Sequence, residues 1–336
     1  MKRRRRVILL LSVLTALTLL LAGCTVEQSV FDPKGPVAEQ QLYLVYLSFW
    51  IMMIVTAIVA VILIYVLIRY RKRKNDQSIP KQTEGNVWLE SMLVIIPVIL
   101  LTILIIPTVQ ITYELADAET GKEDALEVTV TGYQYWWEFK YEDYGIVTAN
   151  ELHIPVGTKV DLNLEAADVI HSFWVPKLAG KTDTIPGRTN YMWIQADEPG
   201  IYSGQCAEYC GPSHALMAFQ VVASEPEDFD AWVAKMQQPA PAPDTALAQE
   251  GAEIFEQSCI SCHAVDATDT KTMAGPNLAN FGERNKIAAA ILPNTKEDLK
   301  KWLQEPEVVK PGNLMPNLGI NDEQADALVE YLHGLK

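Results

Sequence analysis

The sequence predicts a multidomain membrane protein in three parts: a two-helix transmembrane hairpin, an all-β sandwich or barrel, and an all-α domain at the C-terminal end. Three observations carry this. Two long apolar runs, Leu42–Ile68 and Trp88–Val109, flank a basic loop. From Leu126 the apolar residues alternate with a period of two, and beyond the Pro-Ala repeat at 239–243 the period becomes helical. At 336 residues the chain is long enough for two globular domains besides its membrane segments.

The chain begins Met1-Lys-Arg-Arg-Arg-Arg, continues through an apolar run from Val7 to Ala22, and reaches Leu21-Ala-Gly-Cys24. This is the layout of an export signal. The Leu-Ala-Gly-Cys ending resembles a bacterial lipobox, which implies removal of residues 1–23 and lipidation of Cys24, with 24–41 outside the cytoplasm. The alternative is an uncleaved first membrane helix, but the run is shorter than the ~20 residues a span needs.

Residues 42–68 carry no charge and would extend about 40 Å as a helix, enough to cross a ~30 Å hydrocarbon core with tilt. Arg69, Arg71, Lys72, Arg73 and Lys74 follow, and their charge places the loop 69–86 in the cytoplasm. A second span at 87–109 returns the chain to the outside, in agreement with the export signal. Glu90 lies near its cytoplasmic start, seven residues before Pro97. An acid at that depth is a functional candidate, while a glutamate favoured by the helix dipole is the plainer account.

The net charge of −15 conceals a division. The first 106 residues hold 12 Lys/Arg and 6 Asp/Glu, leaving 15 basic and 36 acidic residues, near −21, for the rest. Such a surface repels nucleic acid and attracts basic partners, although acidity is also ordinary for soluble bacterial domains. Strand-like runs are Leu126–Thr131, Glu151–Val156, Lys159–Leu164, Val169–Val175, Thr189–Ala196, Ile201–Gln205 and Ala218–Val222. The β domain spans 113–225. Residues 226–244, with their proline repeat, read as an extended linker. Helical patterns at Gly251–Ser258, Lys296–Gln304 and Asp322–Leu335 fill the last domain, 245–336.

Within the β domain, Cys206-Ala-Glu-Tyr-Cys210-Gly-Pro-Ser-His214-Ala-Leu-Met217 lies 35 residues beyond His171. Two thiolates, two imidazoles and a thioether suit copper and poorly suit calcium, magnesium or manganese. A structural zinc would use the same two cysteines and two histidines, and a Cys206–Cys210 disulfide fits an exported domain. With His171-Ser-Phe-Trp-Val-Pro and Gly180-Lys-Thr-Asp-Thr-Ile-Pro-Gly-Arg-Thr-Asn190, this stretch resembles subunit II of the haem-copper oxidases over roughly 40–225. The resemblance implies a cupredoxin-like Greek-key barrel holding a binuclear copper site. Cys206 and Cys210 would bridge both ions; His171 and Met217 would complete one, and His214 with the Glu208 carbonyl the other. It further implies magnesium at the Glu208 side chain and a proton-pathway mouth at Glu90. The family's aromatic patch for electron entry reads Gly132-Tyr-Gln-Tyr-Trp-Trp137 here. Tyr135, with Trp136 and Trp137, stands where the entry tryptophan is usual, and an internal donor would explain that change. The plainer account makes Tyr133, Tyr135 and Trp137 one face of a packed strand.

Cys259-Ile-Ser-Cys262-His263 is the C-type haem attachment pattern, in which two thiols form thioethers and the histidine ligates iron. A thioredoxin-like redox pair is the alternative, but no βαβ pattern surrounds it. Met315, in Pro311-Gly-Asn-Leu-Met-Pro316, is the candidate sixth ligand. Met273 lies too near the attachment turn, and His333 sits in the amphipathic last helix. Residues 245–336 resemble a class I cytochrome c domain, in which the Pro276 carbonyl accepts the His263 ring N–H. His153 reads as an ordinary strand residue.

The resemblance implies a relay. A donor, either a soluble or membrane-bound cytochrome c or a quinol–cytochrome c reductase, reduces the haem. The haem reduces the copper pair, which passes electrons to subunit I beside subunit III, where O₂ becomes water and protons are pumped. This chain, in a bacterial plasma membrane and in contact with its lipid, carries none of the O₂ chemistry. A copper-containing nitric oxide reductase subunit and a stand-alone tethered carrier are the alternatives; quinol-oxidase subunits lack the copper ligands intact here.

Overall fold

The computed structural model describes residues 12, 15, 27–71, 79, 82, 84–116, 125–271 and 274–336. Cys24 and Met273, like Lys72, Arg73 and Lys74, lie outside them. The two membrane candidates are helices, α1 (Pro36–Arg69) and α2 (Val87–Ala116). Their most apolar windows have mean hydropathies of 3.2 and 2.9, and nothing in those windows is buried. Side chains so apolar on every face require lipid around them.

Both helices are longer than the apolar runs predict, for local reasons. Pro36 opens α1, its fixed φ suiting a first helical turn. That turn does not lie free: Val37 and Ala38 are buried, and Val37 belongs to the core of the β domain. Backbone bonds join the approach segment to the barrel, from Lys34 N to Lys177 O at 2.7 Å, Asp197 N to Lys34 O at 2.9 Å and Ala38 N to Leu178 O at 3.2 Å. A Cβ at Gly35 would fall 2.0 Å from the Gln195 carbonyl, so the approach is closed to any larger residue. The outer end of α1 is thereby fixed to the barrel.

The β domain is a sandwich of two five-stranded mixed sheets. One has the order β3-β2-β1-β5-β8, from β1 (Leu126–Tyr133), β2 (Trp136–Tyr141), β3 (Ile146–Ala149), β5 (Val160–Ala166) and β8 (Asn190–Ile194). The other has the order β4-β10-β9-β6-β7, from β4 (Glu151–Pro155), β6 (His171–Trp174), β7 (Thr182–Thr184), β9 (Gly200–Cys206) and β10 (Ala218–Ser224). β1 runs parallel to β5 and β10 parallel to β4. The sheets close over an aromatic core in which Trp137 of β2 meets Phe173 of β6 and Phe219 of β10, ring centroids 5.6 and 5.5 Å away. A Cβ at Gly204 would strike the Phe219 ring at 2.3 Å, so that glycine makes room for the core.

Residues 226–244 are only partly the linker expected. Pro226–Met236 forms a helix, α3, whose Phe229, Val233 and Met236 are buried on the barrel, leaving 237–244 as the connection. Its Phe229, Val233 and Met236 have the i, i+4, i+7 spacing of one helical face, a signal that the acidic first turn conceals.

The last domain comprises α4 (Ala246–Ser258), a two-residue pairing of β11 (Lys286–Ile287) with β12 (Leu292–Pro293), α5 (Lys296–Gln304), a single turn α6 (Pro306–Val309) and α7 (Asp322–Gly334). Thr245 and Thr295 cap α4 and α5, and Asn321 with Gln324 forms a capping box on α7. α4 and α7 cross where Gly251 faces Ala327; a Cβ there would lie 2.1 Å from the Ala327 carbonyl.

Candidate metal and cofactor centres

The turn between β9 and β10 and the start of β6 bring the predicted donors together. Cys206 and Cys210 are both buried, their sulfurs 3.8 Å apart. A disulfide needs about 2 Å, so they are two free thiols. His171 Nδ1 lies 3.9 Å from Cys206 Sγ, and His214 Nδ1 3.7 Å from Cys210 Sγ. Met217 Sδ is 3.8 Å from Cys210 Sγ, and the Glu208 carbonyl 3.2 Å from Cys206 Sγ. The ligand atoms of His171, Cys206 and Cys210 all fall within 4.8 Å of one another. Six donors converge, two more than a tetrahedral zinc site takes, and a thioether among them favours copper. The neighbouring sulfurs share protons: hydrogen bonds from Cys210 and His171 push the Cys206 thiol well down, and the same contact pushes Cys210 up. A thiolate poised in this way is what a metal requires.

A further layer, which the motifs do not name, orients these donors. Asp168 Oδ1 accepts from His171 Nε2 at 2.8 Å, fixing the tautomer so that Nδ1 faces the sulfurs. The other Asp168 oxygen accepts from the Gln134 backbone N–H at 2.6 Å. Gln134 Nε2 in turn donates to the Cys210 carbonyl at 2.6 Å. Asp168 thus ties the β1–β2 turn to the histidine, and Gln134 ties it to the cysteine. Gly132 gives the imidazole its space, since a Cβ there would stand 2.8 Å from His171 Cδ2. The one sequence signal for Asp168 is its place three residues before His171.

In the helical domain, Cys259, Cys262, His263 and Met315 line one cavity whose walls include Phe281, Leu299 and Leu328. Both thiols are free. His263 Nδ1 donates to the Pro276 carbonyl at 2.8 Å, leaving the Nε2 lone pair for a metal. Burial pushes His263 below the usual histidine range, keeping the imidazole neutral as a ligand must be. A Cβ at Gly275 would lie 2.6 Å from His263 Cε1, so the ring packs directly on backbone. An apolar cavity with two thiols and a neutral imidazole at its wall fits a covalently attached haem.

That cavity opens against the barrel. Gln134, Tyr135 and Trp136 line it together with the haem-domain residues. Tyr133 and Trp136 stack at 4.4 Å, and Trp136 packs with Ala149 and Ala289. The one-face account of Tyr133, Tyr135 and Trp137 is overturned. Tyr133 ends β1, Tyr135 lies in the turn, and Trp137 is fully buried on β2 opposite Gly132. Tyr135 and Trp136 are 5% and 7% exposed, so the patch predicted for electron entry lies beneath the helical domain.

The remaining candidates lie apart. Glu90 occupies the exposed first turn of α2, where the Asn86 side chain caps the backbone N–H groups of Trp88 and Leu89. The Glu208 side chain is exposed and accepts from the Tyr209 N–H at 3.0 Å. His153 stacks on Trp232 at 4.3 Å, and His333 is half-buried in α7.

A β sandwich presenting soft donors outside a membrane hairpin, joined to a haem-type helical domain, defines a membrane-anchored electron-transfer protein. Three family models match in series: the transmembrane domain of cytochrome c oxidase subunit II over 23–111, its periplasmic domain over 145–224, and cytochrome c over 248–336. Cytochrome c oxidase subunit 2 of Alkalihalophilus pseudofirmus is 45% identical over 96% of this chain and 96% of its own length. That of Bacillus subtilis is 44% identical over 100% and 99%. A quinol oxidase subunit 2 of Bacillus cereus is 37% identical over 67% of this chain and 79% of its own. The chain belongs to the cytochrome c oxidase subunit 2 family, as the member of a haem-copper oxidase that carries copper and haem domains outside the membrane.

Proposed function

We propose that this chain accepts single electrons at a covalently bound haem c and delivers them through a two-copper centre to subunit I. The reading rests above all on the six donors gathered around the 3.8 Å pair of sulfurs, beside a haem-type cavity in the same chain. When bound, the haem and the copper pair would supply one-electron redox couples. Cys206 and Cys210 would be shared between the two coppers, with His171 and Met217 completing the donors of one and His214 and the Glu208 carbonyl those of the other. Strands β6, β9 and β10 and the Asp168 bond keep these groups from moving, which favours transfer between oxidation states of similar geometry. Cys259 and Cys262 would attach the porphyrin through thioethers, and His263 and Met315, which line the same cavity, would hold its iron.

Other parts of the reading rest on family likeness. The exposed Glu208 carboxylate holds magnesium against subunit I, Glu90 marks a proton-uptake mouth, and Cys24 anchors the chain in the bacterial plasma membrane by lipid. Subunit III and a cytochrome c or quinol–cytochrome c reductase complete the assembly. The test replaces both Cys206 and Cys210 by serine and measures oxygen uptake by the assembled complex with haem reduction followed in parallel. The haem should still be reduced while uptake falls to background; undiminished uptake would refute the reading.

A further inference from the structure

Two buried charges cross the seam between the domains in opposite directions. Lys310, at the end of α6 and five residues before Met315, is 4% exposed. Its Nζ donates to the Tyr135 carbonyl of the barrel at 2.6 Å, with the Ala288 carbonyl at 3.4 Å. Glu151, at the start of β4, is also 4% exposed. Its Oε1 accepts from the haem-domain backbone N–H groups of Asn285 at 2.6 Å and Lys286 at 3.4 Å. Neighbouring contacts share the seam: Ser213 Oγ donates to the Pro311 carbonyl, and Gly312 with φ +79 lies against Pro212.

A lysine or glutamate is buried at a cost of several kcal/mol unless it is hydrogen-bonded, so neither belongs at a loose contact. Their bonds persist only while the domains stay docked. Lys310 holds a carbonyl of the very turn whose Gln134 bonds both Asp168 and the Cys210 carbonyl. On its other side it is continuous with the loop that carries Met315. One hydrogen-bonded route from the haem cavity to the copper donors therefore runs through Lys310 and the Gln134 turn, beside a second from Pro311 to Ser213, the neighbour of His214.

We propose that Lys310 is a positioning residue for haem-to-copper electron transfer, fixing the Met315 loop against the Tyr135 turn, and that Glu151 is its counterpart from the barrel side. The proposal rests on the relay described above and deepens it. Its consequence is that the haem domain works as a docked body rather than a swinging tether. Transfer across the seam then depends only weakly on ionic strength, because these two latches are buried bonds to backbone groups, which salt screens far less than the exposed Lys235–Glu283 pair that also spans the seam.

The experiment uses the full chain in the assembled oxidase, with Lys310→Met, Glu151→Ala and Glu151→Gln. Haem-to-copper transfer after flash reduction of the haem should slow by about tenfold or more in K310M and in E151A, since small displacements of a reacting pair carry penalties of that order. KM for the donor and the optical spectra of both centres should stay as in the parent. E151Q, which keeps an acceptor oxygen, should retain the parent rate. Independently of either cofactor, hydrogen exchange at the Asn285 and Lys286 amides should rise about tenfold in K310M, reporting undocking rather than unfolding if β1 and β10 keep their protection. Unchanged transfer and exchange in K310M would overturn the proposal. Should K310M fail to assemble, E151A decides alone: unchanged transfer and exchange there overturn it equally. A parent chain lacking haem or copper signals would instead refute the relay itself.

Discussion

The copper-binding turn and the haem cavity reach their ligands by different constructions. In the barrel, each donor is held by protein: β6 and β9 carry His171 and Cys206, Asp168 fixes the imidazole, and Gln134 the Cys210 carbonyl. Around the haem cavity the walls are the end of α4, the segment 274–289 with its short β11, and the loop carrying Met315, which face one another across the space. A domain of that size has a small core, and Phe255, Phe281, Leu299 and Leu328 belong to both core and cavity wall. The difference teaches that copper is received by a finished fold, whereas haem is part of the core it enters.

That contrast can be broken most decisively by removing the attachment. Cys259→Ala with Cys262→Ala should abolish covalent haem and leave the helical domain without a cooperative unfolding transition, while the barrel's transition persists; calorimetry of the variant checks this. A domain that still melts cooperatively would put the two sites on an equal footing. The next effect in size is Gly251→Ala. Overpacking at the α4–α7 crossing should cost about 1–3 kcal/mol, confined to the haem domain, as read by denaturant midpoints of haem absorbance against tryptophan fluorescence.

The smallest effect sharpens the seam. Burial pushes Lys310 down to about 7 in the docked state, against its ordinary 10.5 when undocked. Between those values the undocked state binds the extra proton, so docking strengthens as pH rises from 7 toward 10 and is flat below 7. The Cys210 sulfur is the neighbour that, when ionised, opposes the shift. Protease cleavage within 237–244 should accordingly slow from pH 7 to 9, and K310M should remove that slope.

Much of this molecule is legible in one sequence because its chemistry is written in spacing. Cys206 to Met217 and Cys259 to His263 specify their donors within a turn, and the β9–β10 connection brings His214 and Met217 of the first set to 3.7 and 3.8 Å from the Cys210 sulfur. The short strands β2, β3 and β7 escape the sequence reading for different reasons. Trp136–Tyr141 does alternate, Trp137, Phe139 and Tyr141 inward against Glu138 and Lys140, but it begins inside the aromatic patch. Ile146–Ala149 is buried on both faces, and β7 is only three residues long. Helix α3 is lost to its acidic start. The seam is least legible: Lys310 and Glu151 are of types that normally face water, and only docking of one domain on another buries them. Tyr135 shows the same limit. Its aromatic neighbours suggest an entry face; tyrosine in place of the usual tryptophan hints at an internal donor, but nothing in the sequence says that the helical domain packs directly over it.

The central claim, a copper pair and a haem in one chain, is tested most directly by metal analysis and EPR of the purified full-length protein. The account predicts two coppers and one iron per chain, a signal from one electron shared by both coppers, and the optical bands of a C-type haem. Zinc in place of copper, or a single isolated copper signal, would contradict it.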